Sequence, residues 1–322
     1  MMLLALGLLA QEICAPCHSA QAKAHAATLM RNTLERGAEA AILRKHSVLE
    51  ATIGPYRYRI ENGRFRVTDG SRTIDATIHW AMGQGEAGQT YVLDRDGHLY
   101  ESRLSFYQNI QGLGPTMGAP AGTPRNLEEA LGRELTPKAV LECFGCHSAQ
   151  PSPTPGIARG TLEWTQTLIP GVQCVSCHTD AGKHAIRPAI RPASLRQISA
   201  EEISEVCGKC HRTWGDVAAN GPRGVGNVRF QPYRIARAKC YDAADRRIGC
   251  TACHHPHNRP NRKVALKATD LACASCHAKL CPTGAKTDCA SCHMPKFELP
   301  GSHFRFTDHW IRVARNDEAY PD

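Results

Sequence analysis

The polar and apolar positions of this chain change period along its length, and each change predicts a different element. Residues 19–46 (SAQAKAHAATLMRNTLERGAEAAILRKH) lack proline and are rich in Ala, Leu, Glu and Arg, which predicts helix despite Gly37. From Tyr56 the period falls to two. The segments Tyr56–Glu61, Arg64–Thr68, Thr73–Trp80, Thr90–Asp94 and Leu99–Phe106 alternate as half-buried strands do. Asn62-Gly63, Asp69-Gly70 and Asp96-Gly97 lie between them, where tight hairpin turns need positive φ. The expectation is an antiparallel β-module of about five strands.

After it, Gly112 to Arg125 is a Gly/Pro-rich connector. Beyond the connector the helices read as short and well signalled. Thr136-Pro137 has the form of an N-cap followed by Pro at the first helical position, and Ser199 with Glu202 has the form of a capping box. This organisation divides the chain into residues 1–10, 11–46 (an N-terminal helical segment), 47–111 (the β-module), 112–135 (the connector) and 136–322.

Cysteine usage changes the picture most. Fourteen of the sixteen cysteines fall into seven copies of C-x-x-C-H. They are Cys14-Cys17-His18, Cys143-Cys146-His147, Cys174-Cys177-His178, Cys207-Cys210-His211, Cys250-Cys253-His254, Cys273-Cys276-His277 and Cys289-Cys292-His293. At these residue frequencies chance would supply about 0.04 copies. Two thiols at this spacing can form thioethers to the two vinyl groups of one haem, and the adjacent His is then carried under the iron as proximal ligand. Zinc is the rival reading, but zinc knuckles pair one C-x-x-C with another and do not need His after the second Cys each time. Seven covalently attached haem c groups are therefore expected. One motif is N-terminal and six lie between Cys143 and His293, and with only 6% aromatics in the whole chain the porphyrins would form much of the core there. The fold class predicted is mainly α and irregular, haem-cored, with an inserted small antiparallel β-module, α+β overall.

Nine histidines lie outside the motifs, more than packing requires, so several are candidate distal iron ligands. His25, His46, His184, His257, His303 and His309 are the candidates: His184 and His257 closely follow motifs, and His303 and His309 follow the last one. For His79 and His98 a cross-strand or surface role in the β-module is expected, and His255 gives way to His257. Met30, Met82 and Met117 are read as core packing. Cys240 and Cys281 stand outside the motifs. As a disulfide they would contribute about 4 kcal/mol by loop entropy, and free thiols are the alternative.

The formal charge of +9 would ordinarily suggest an acidic partner or nucleic acid. Fourteen propionates and the charge of ferric centres would bring it to roughly +2 oxidised and −5 reduced, so nucleic acid is not expected. The basic residues read instead as propionate counter-ions. Met1 to Ala10 is an uncharged apolar run. As a helix it would span about 15 Å, too short for a bilayer, so it reads as the apolar region of a secretory signal without its basic stretch. A buried N-terminal helix is the alternative. Haem attachment to this motif occurs outside the cytoplasm, which independently predicts a periplasmic or extracellular location.

The second half resembles the multihaem cytochromes of the cytochrome c-554 type. The resemblance rests on GVQCVSCHTDAGKH (171–184), RIARAKCYDAADRRIGCTACHHPH (234–257) and DCASCHMPK followed by His303 and FTDHW (288–310). The β-module segment WAMGQGEAGQTYVLDRDGHLYESRLSFY (80–107) is similar to the one such proteins carry between their first two haems. The resemblance implies stacked haem pairs, mostly bis-His ligation, an exported electron-transfer role, and His184, His257, His303 and His309 as distal ligands. Thr179-Asp180-Ala181-Gly182 departs from the Gly-Pro-Gly that relatives carry after the third motif.

Three functions follow from these residues. The favoured one is an electron-transfer relay with every haem six-coordinate, exchanging electrons with other cytochromes or with quinol-linked membrane complexes. Peripheral membrane contact and oligomerisation stay open. The second is an oxidoreductase of a small nitrogen or sulfur compound at one open-coordinate haem, with Arg229, Arg234, Arg237, Lys239, Arg246 and Arg247 as candidate lining. The third is a subunit of a haem-stacked filament, which nothing in the sequence demands.

Overall fold

The structure is a computed structural model describing residues 11–149, 154–259, 262–277, 287–315 and 318–321. The run Met1–Ala10 and Cys281 lie outside the described residues. The described residues form two compact units: those within 11–19, 26–176 and 300–304 make the first, and those within 20–25, 177–299 and 305–321 make the second. Among the described residues, no helix is long and apolar enough to cross a membrane.

The first unit is built on a nine-stranded antiparallel sheet. Its strands are β1 (Leu34–Arg36), β2 (Val48–Ile53), β3 (Tyr56–Glu61), β4 (Arg64–Thr68), β5 (Thr73–Met82), β6 (Gln89–Arg95), β7 (His98–Tyr107), β8 (Gly112–Pro115) and β9 (Gly132–Glu134). The path runs β2-β3-β4-β5-β6-β7-β8, with β1 added to β5 and β9 added to β7. The five strands expected from alternation are β3 to β7. Asn62 and Gly63 (φ 51° and 70°) and Asp96 and Gly97 (φ 54° and 84°) take the left-handed turns their sequence predicts.

Two expectations change. Residues 19–46 are not one helix: helices Ser19–Ala26 and Ala41–Lys45 flank strand β1. Leu34 pairs with Met82 and is buried, so edge pairing and burial override helix propensity there. Gly37 permits this approach, since a Cβ on it would lie 1.9 Å from the Ile78 carbonyl oxygen. The connector is also partly ordered into the sheet, because β8 pairs with β7 and helix Leu127–Leu131 follows with Asn126 as its N-cap.

A β-bulge decides which side of the sheet each residue serves. Ile78 pairs with Leu93 but Trp80 pairs with Val92, so the register slips by one at His79. A one-residue slip turns the following side chains to the opposite face. Accordingly Ile78 and Leu93 join one core with Tyr58, Phe65 and Val67, while Trp80 and Val92 join a second with Leu34, Val140, Phe144 and Trp164. Trp80 is fully buried, meets Phe144 edge-on at 5.9 Å, and donates its indole N–H to Thr165 Oγ1 at 3.1 Å. Phe144 meets Trp164 at 6.3 Å. The helix Pro137–His147, which ends in the second C-x-x-C-H motif, is thereby fastened to the sheet. Met82 belongs to this second core.

The second unit is helical, with a small hairpin of Lys296–Glu298 and Arg305–Thr307. Helix Ala200–His211 starts at the Ser199/Glu202 capping box, as its sequence predicts. Thr136 likewise caps Pro137–His147 through the Ala139 N–H. Both large hydrophobic clusters among the described residues belong to the first unit. The architecture is mixed α+β with a large antiparallel sheet.

Candidate haem-binding sites

The second and fourth motifs end longer helices, the third, fifth and seventh lie on short single-turn helices, and the first and sixth begin at the ends of helices Gln11–Cys14 and Arg262–Ala274 and continue as a turn. The backbone N–H of His18 bonds to the Cys14 carbonyl at 2.8 Å, that of His254 to Cys250 at 3.0 Å, and that of His277 to Cys273 at 2.9 Å. At this pitch residues i, i+3 and i+4 share one face. Both thiols and the imidazole of a motif therefore project toward one side, as a doubly tethered haem requires.

The backbone fixes which imidazole nitrogen is left for a metal. His147 Nδ1 lies 3.0 Å from the Thr33 carbonyl and 2.8 Å from its hydroxyl, and His293 Nδ1 lies 2.9 Å from the Arg312 carbonyl. A carbonyl only accepts, so Nδ1 carries the proton and Nε2 keeps its lone pair. His211 Nδ1 faces the Gln231 side-chain oxygen at 3.0 Å. Burial lowers the pKa of His147 and His211, which favours the neutral, ligating form. Thr33, Gln231 and Arg312 carry no motif that sequence reasoning could use.

The six candidate distal histidines occupy different surroundings. His257 lies 5.9 Å from the motif imidazole of His178, ring centre to ring centre, at an interplanar angle of 17°. His309 lies 6.0 Å from His254 at 29°. His303 meets Tyr107 edge-on at 5.1 Å and lies over Gly114, where a Cβ would come within 2.6 Å of its Nε2. His46 packs its ring 4.9 Å from Phe106. His184 Nδ1 sits 2.9 Å from the Ile190 carbonyl, and His25 is buried in the second unit at the end of helix Ser19–Ala26. His79 faces Asp94 at 3.5 Å and His98 faces Glu134 at 2.8 Å, both in the β-module. His255 is exposed and stands edge-on to His257.

His309 is held by the residue before it. Asp308 and Arg234 form a fully buried two-point ion pair at 2.8 and 2.9 Å. Arg234 also donates to Asn227 at 3.2 Å and to the Pro321 carbonyl at 3.0 Å. Asp308 also accepts from Arg312 at 2.7 Å and from the Trp310 N–H at 3.0 Å. Burial alone pushes the Asp308 carboxyl up, but these donors hold it below the usual carboxylate range. His309 Nδ1 meets the Thr307 carbonyl at 3.0 Å, and its pKa falls to about 4 through desolvation first and His254 second. Arg234, a candidate lining residue for an open anion site, is therefore consumed by a structural ion pair. Arg247 is paired with Asp245 at 2.6 Å, and Arg237 stacks on Tyr233 at 4.9 Å.

Motif cysteines also meet one another. Cys207 interacts electrostatically with Cys250, Cys14 with Cys174, and Cys273 with Cys289. Gly249 lets the fourth and fifth motif helices close, since a Cβ there would lie 2.7 Å from Ile203 Cγ2. Asp270, three residues ahead of Cys273, accepts the backbone N–H groups of Asp288 and Cys289, both at 2.9 Å, and so caps the seventh motif helix. Burial pushes the Cys143 thiol up to about 11 and heads the causes raising Cys289 to about 11, so both are neutral thiols rather than thiolates. Among the described residues no three His, Cys, Asp or Glu side chains converge as a metal held by protein alone would need. Paired thiols, Nδ1-anchored imidazoles and facing imidazole pairs fit haem c.

These sites define the class: the chain is a multihaem c-type cytochrome. The family model described as "Cytochrome c554 and c-prime" matches residues 122–179, and the one described as "Doubled CXXCH motif" matches residues 243–280. The multiheme cytochrome MtrA of Shewanella baltica (strain OS185) is 25% identical over 203 residues, 54% of this chain and 60% of that protein. The high-molecular-weight cytochrome c of Nitratidesulfovibrio vulgaris (strain Hildenborough) is 26% identical over 169 residues, 46% of this chain and 29% of that protein. The chain thus spans less than two thirds of either curated relative. The crystal structure of the outer cell wall cytochrome OcwA aligns with 63% of this chain and 36% of its own at a TM-score of 0.37 and 16% identity.

Proposed function

We propose that the chain is an exported electron relay carrying seven haem c groups, periplasmic or extracellular in location. Each motif's two cysteines hold one haem, and His18, His147, His178, His211, His254, His277 and His293 are the proximal ligands. His25, His46, His184, His257, His303 and His309 are the proposed distal ligands of six centres, one fewer than the seven haems. Bound haem c supplies one-electron chemistry at its iron. The chain's own residues would fix spacing, exclude water and close both axial positions at each centre for which a distal histidine is named. Partners in this reading are other cytochromes or quinol-linked membrane complexes.

The observation that carries the reading is that motif imidazoles face second imidazoles across about 6 Å, at His178 with His257 and at His254 with His309. Protein closing both sides of a metal suits electron transfer and leaves no place for a substrate. The small protein-only core of the second unit supports a haem-cored build there. Low-temperature EPR of the oxidised protein, with haem counted by pyridine haemochrome, tests it. Seven low-spin haems are expected. A high-spin haem that shifts with nitrite, hydroxylamine or cyanide would make the protein an oxidoreductase instead.

A further inference from the structure

We infer that the stretch His254–His257 serves two irons at once. His254 and His309 are the axial pair of the fifth-motif centre, and His178 and His257 are the axial pair of the third-motif centre. This inference rests on the relay reading and adds which histidines share an iron and which centres are neighbours.

An imidazole nitrogen about 2 Å from a metal puts its ring centre about 3 Å away, so two imidazoles across one iron have centres about 6 Å apart. His178 and His257 stand at 5.9 Å, and His254 and His309 at 6.0 Å. In each pair one ring is a motif histidine, as a tethered haem demands. His255 and His257 are 6.1 Å apart, but neither follows a second motif cysteine, so that spacing belongs to no tethered haem. His309 presents Nε2, because its Nδ1 is taken by the Thr307 carbonyl at 3.0 Å.

Only His255 and Pro256 separate the two ligands, so the third and fifth centres are adjacent although the fourth motif intervenes in sequence. The helices of motifs four and five approach closely at Gly249 and Ile203, so the fourth centre also neighbours the fifth. Pro256 stiffens the bridge, since it fixes its own φ and restricts His255.

Holo-protein variants His257→Met and His309→Met test the pairing by pyridine haemochrome, ferric EPR and near-infrared magnetic circular dichroism. Each should keep its full haem content and convert one bis-His centre to one His/Met centre. In a Cys174→Ala/Cys177→Ala background, which lacks the third haem, adding His257→Met should change nothing further, whereas adding His309→Met should still convert one centre. A new centre from His257→Met in that background overturns the pairing. Where that background does not fold, His178→Met with His257→Met decides: one altered centre supports a shared iron and two altered centres refute it. A His257→Met spectrum identical to a wholly low-spin parent overturns the pairing and leaves the relay standing. A high-spin haem in the parent overturns the relay, and the same variants still decide the pairing.

Discussion

Replacing Arg234 by Met should unlock the segment that presents His309. Both Arg234 and Asp308 side chains are 0% exposed. The substitution removes the two-point bond at 2.8 and 2.9 Å and the bonds to Asn227 and the Pro321 carbonyl. Asp308 keeps Arg312 and the Trp310 N–H, so its charge stays buried with half its partners. Removing one member of a buried pair costs about 3–5 kcal/mol, mainly through the charge left behind. Arg234→Met/Asp308→Leu leaves no such charge and should recover most of that loss. Guanidinium unfolding of the ferric holo-protein, followed at the Soret band, measures the stability, and EPR reports the His309 centre. A loss below about 1 kcal/mol for Arg234→Met, with an unchanged EPR spectrum, would refute the role assigned to the pair. The pH dependence has a definite sign. The Asp308 pKa is depressed in the folded state, so its contribution is complete above the unfolded value of about 4 and is lost as pH falls through the folded value. The parent should therefore lose stability below about pH 4, and the double variant should lose less there.

Gly114→Ala should displace the His303 imidazole, which a Cβ would approach to 2.6 Å, and alter one low-spin signal if His303 ligates an iron; an identical EPR spectrum would remove His303 from the ligand set. Trp80→Ala should cost about 3–5 kcal/mol and loosen the helix Pro137–His147, read as faster hydrogen exchange there; unchanged exchange would mean that the sheet does not hold the second motif. Asp270→Ala should cost about 1 kcal/mol through loss of a helix cap. The Asp270 carboxyl is held low by the Asp288 and Cys289 N–H groups, so the difference between parent and variant should shrink as pH drops below about 4; a difference independent of pH would contradict the cap.

Much of the architecture could be read from residues near one another in the chain. Strands β3 to β7, the turns at Asn62-Gly63 and Asp96-Gly97, and the caps at Thr136 and Ser199 all depend on short-range period or hydrogen bonding. Strand β1 escaped the same reading because Leu34 to Arg36 are paired by β5, far along the chain, and no local propensity records that partner. The site divides in the same way. Histidines in the β-module were separable from ligand candidates by their strand setting, and the structure engages His79 with Asp94 and His98 with Glu134. Arg234 was legible as a cation but not as the partner of Asp308, because a buried ion pair across this separation leaves no periodic trace.

By itself the sequence determined the covalent chemistry, since two thiols and an imidazole on one helical turn need only five consecutive residues to be defined. It also determined that an alternating sheet interrupts the motifs. Tertiary structure alone decided which side of that sheet meets the second motif, through a single-residue bulge at His79. It alone decided which histidines face which, because His178 with His257 and His254 with His309 come from segments joined only by folding. A tether is a local bond and can be read along the chain; a second axial ligand is a contact across space, fixed by packing, buried charge and the glycines that let backbones close.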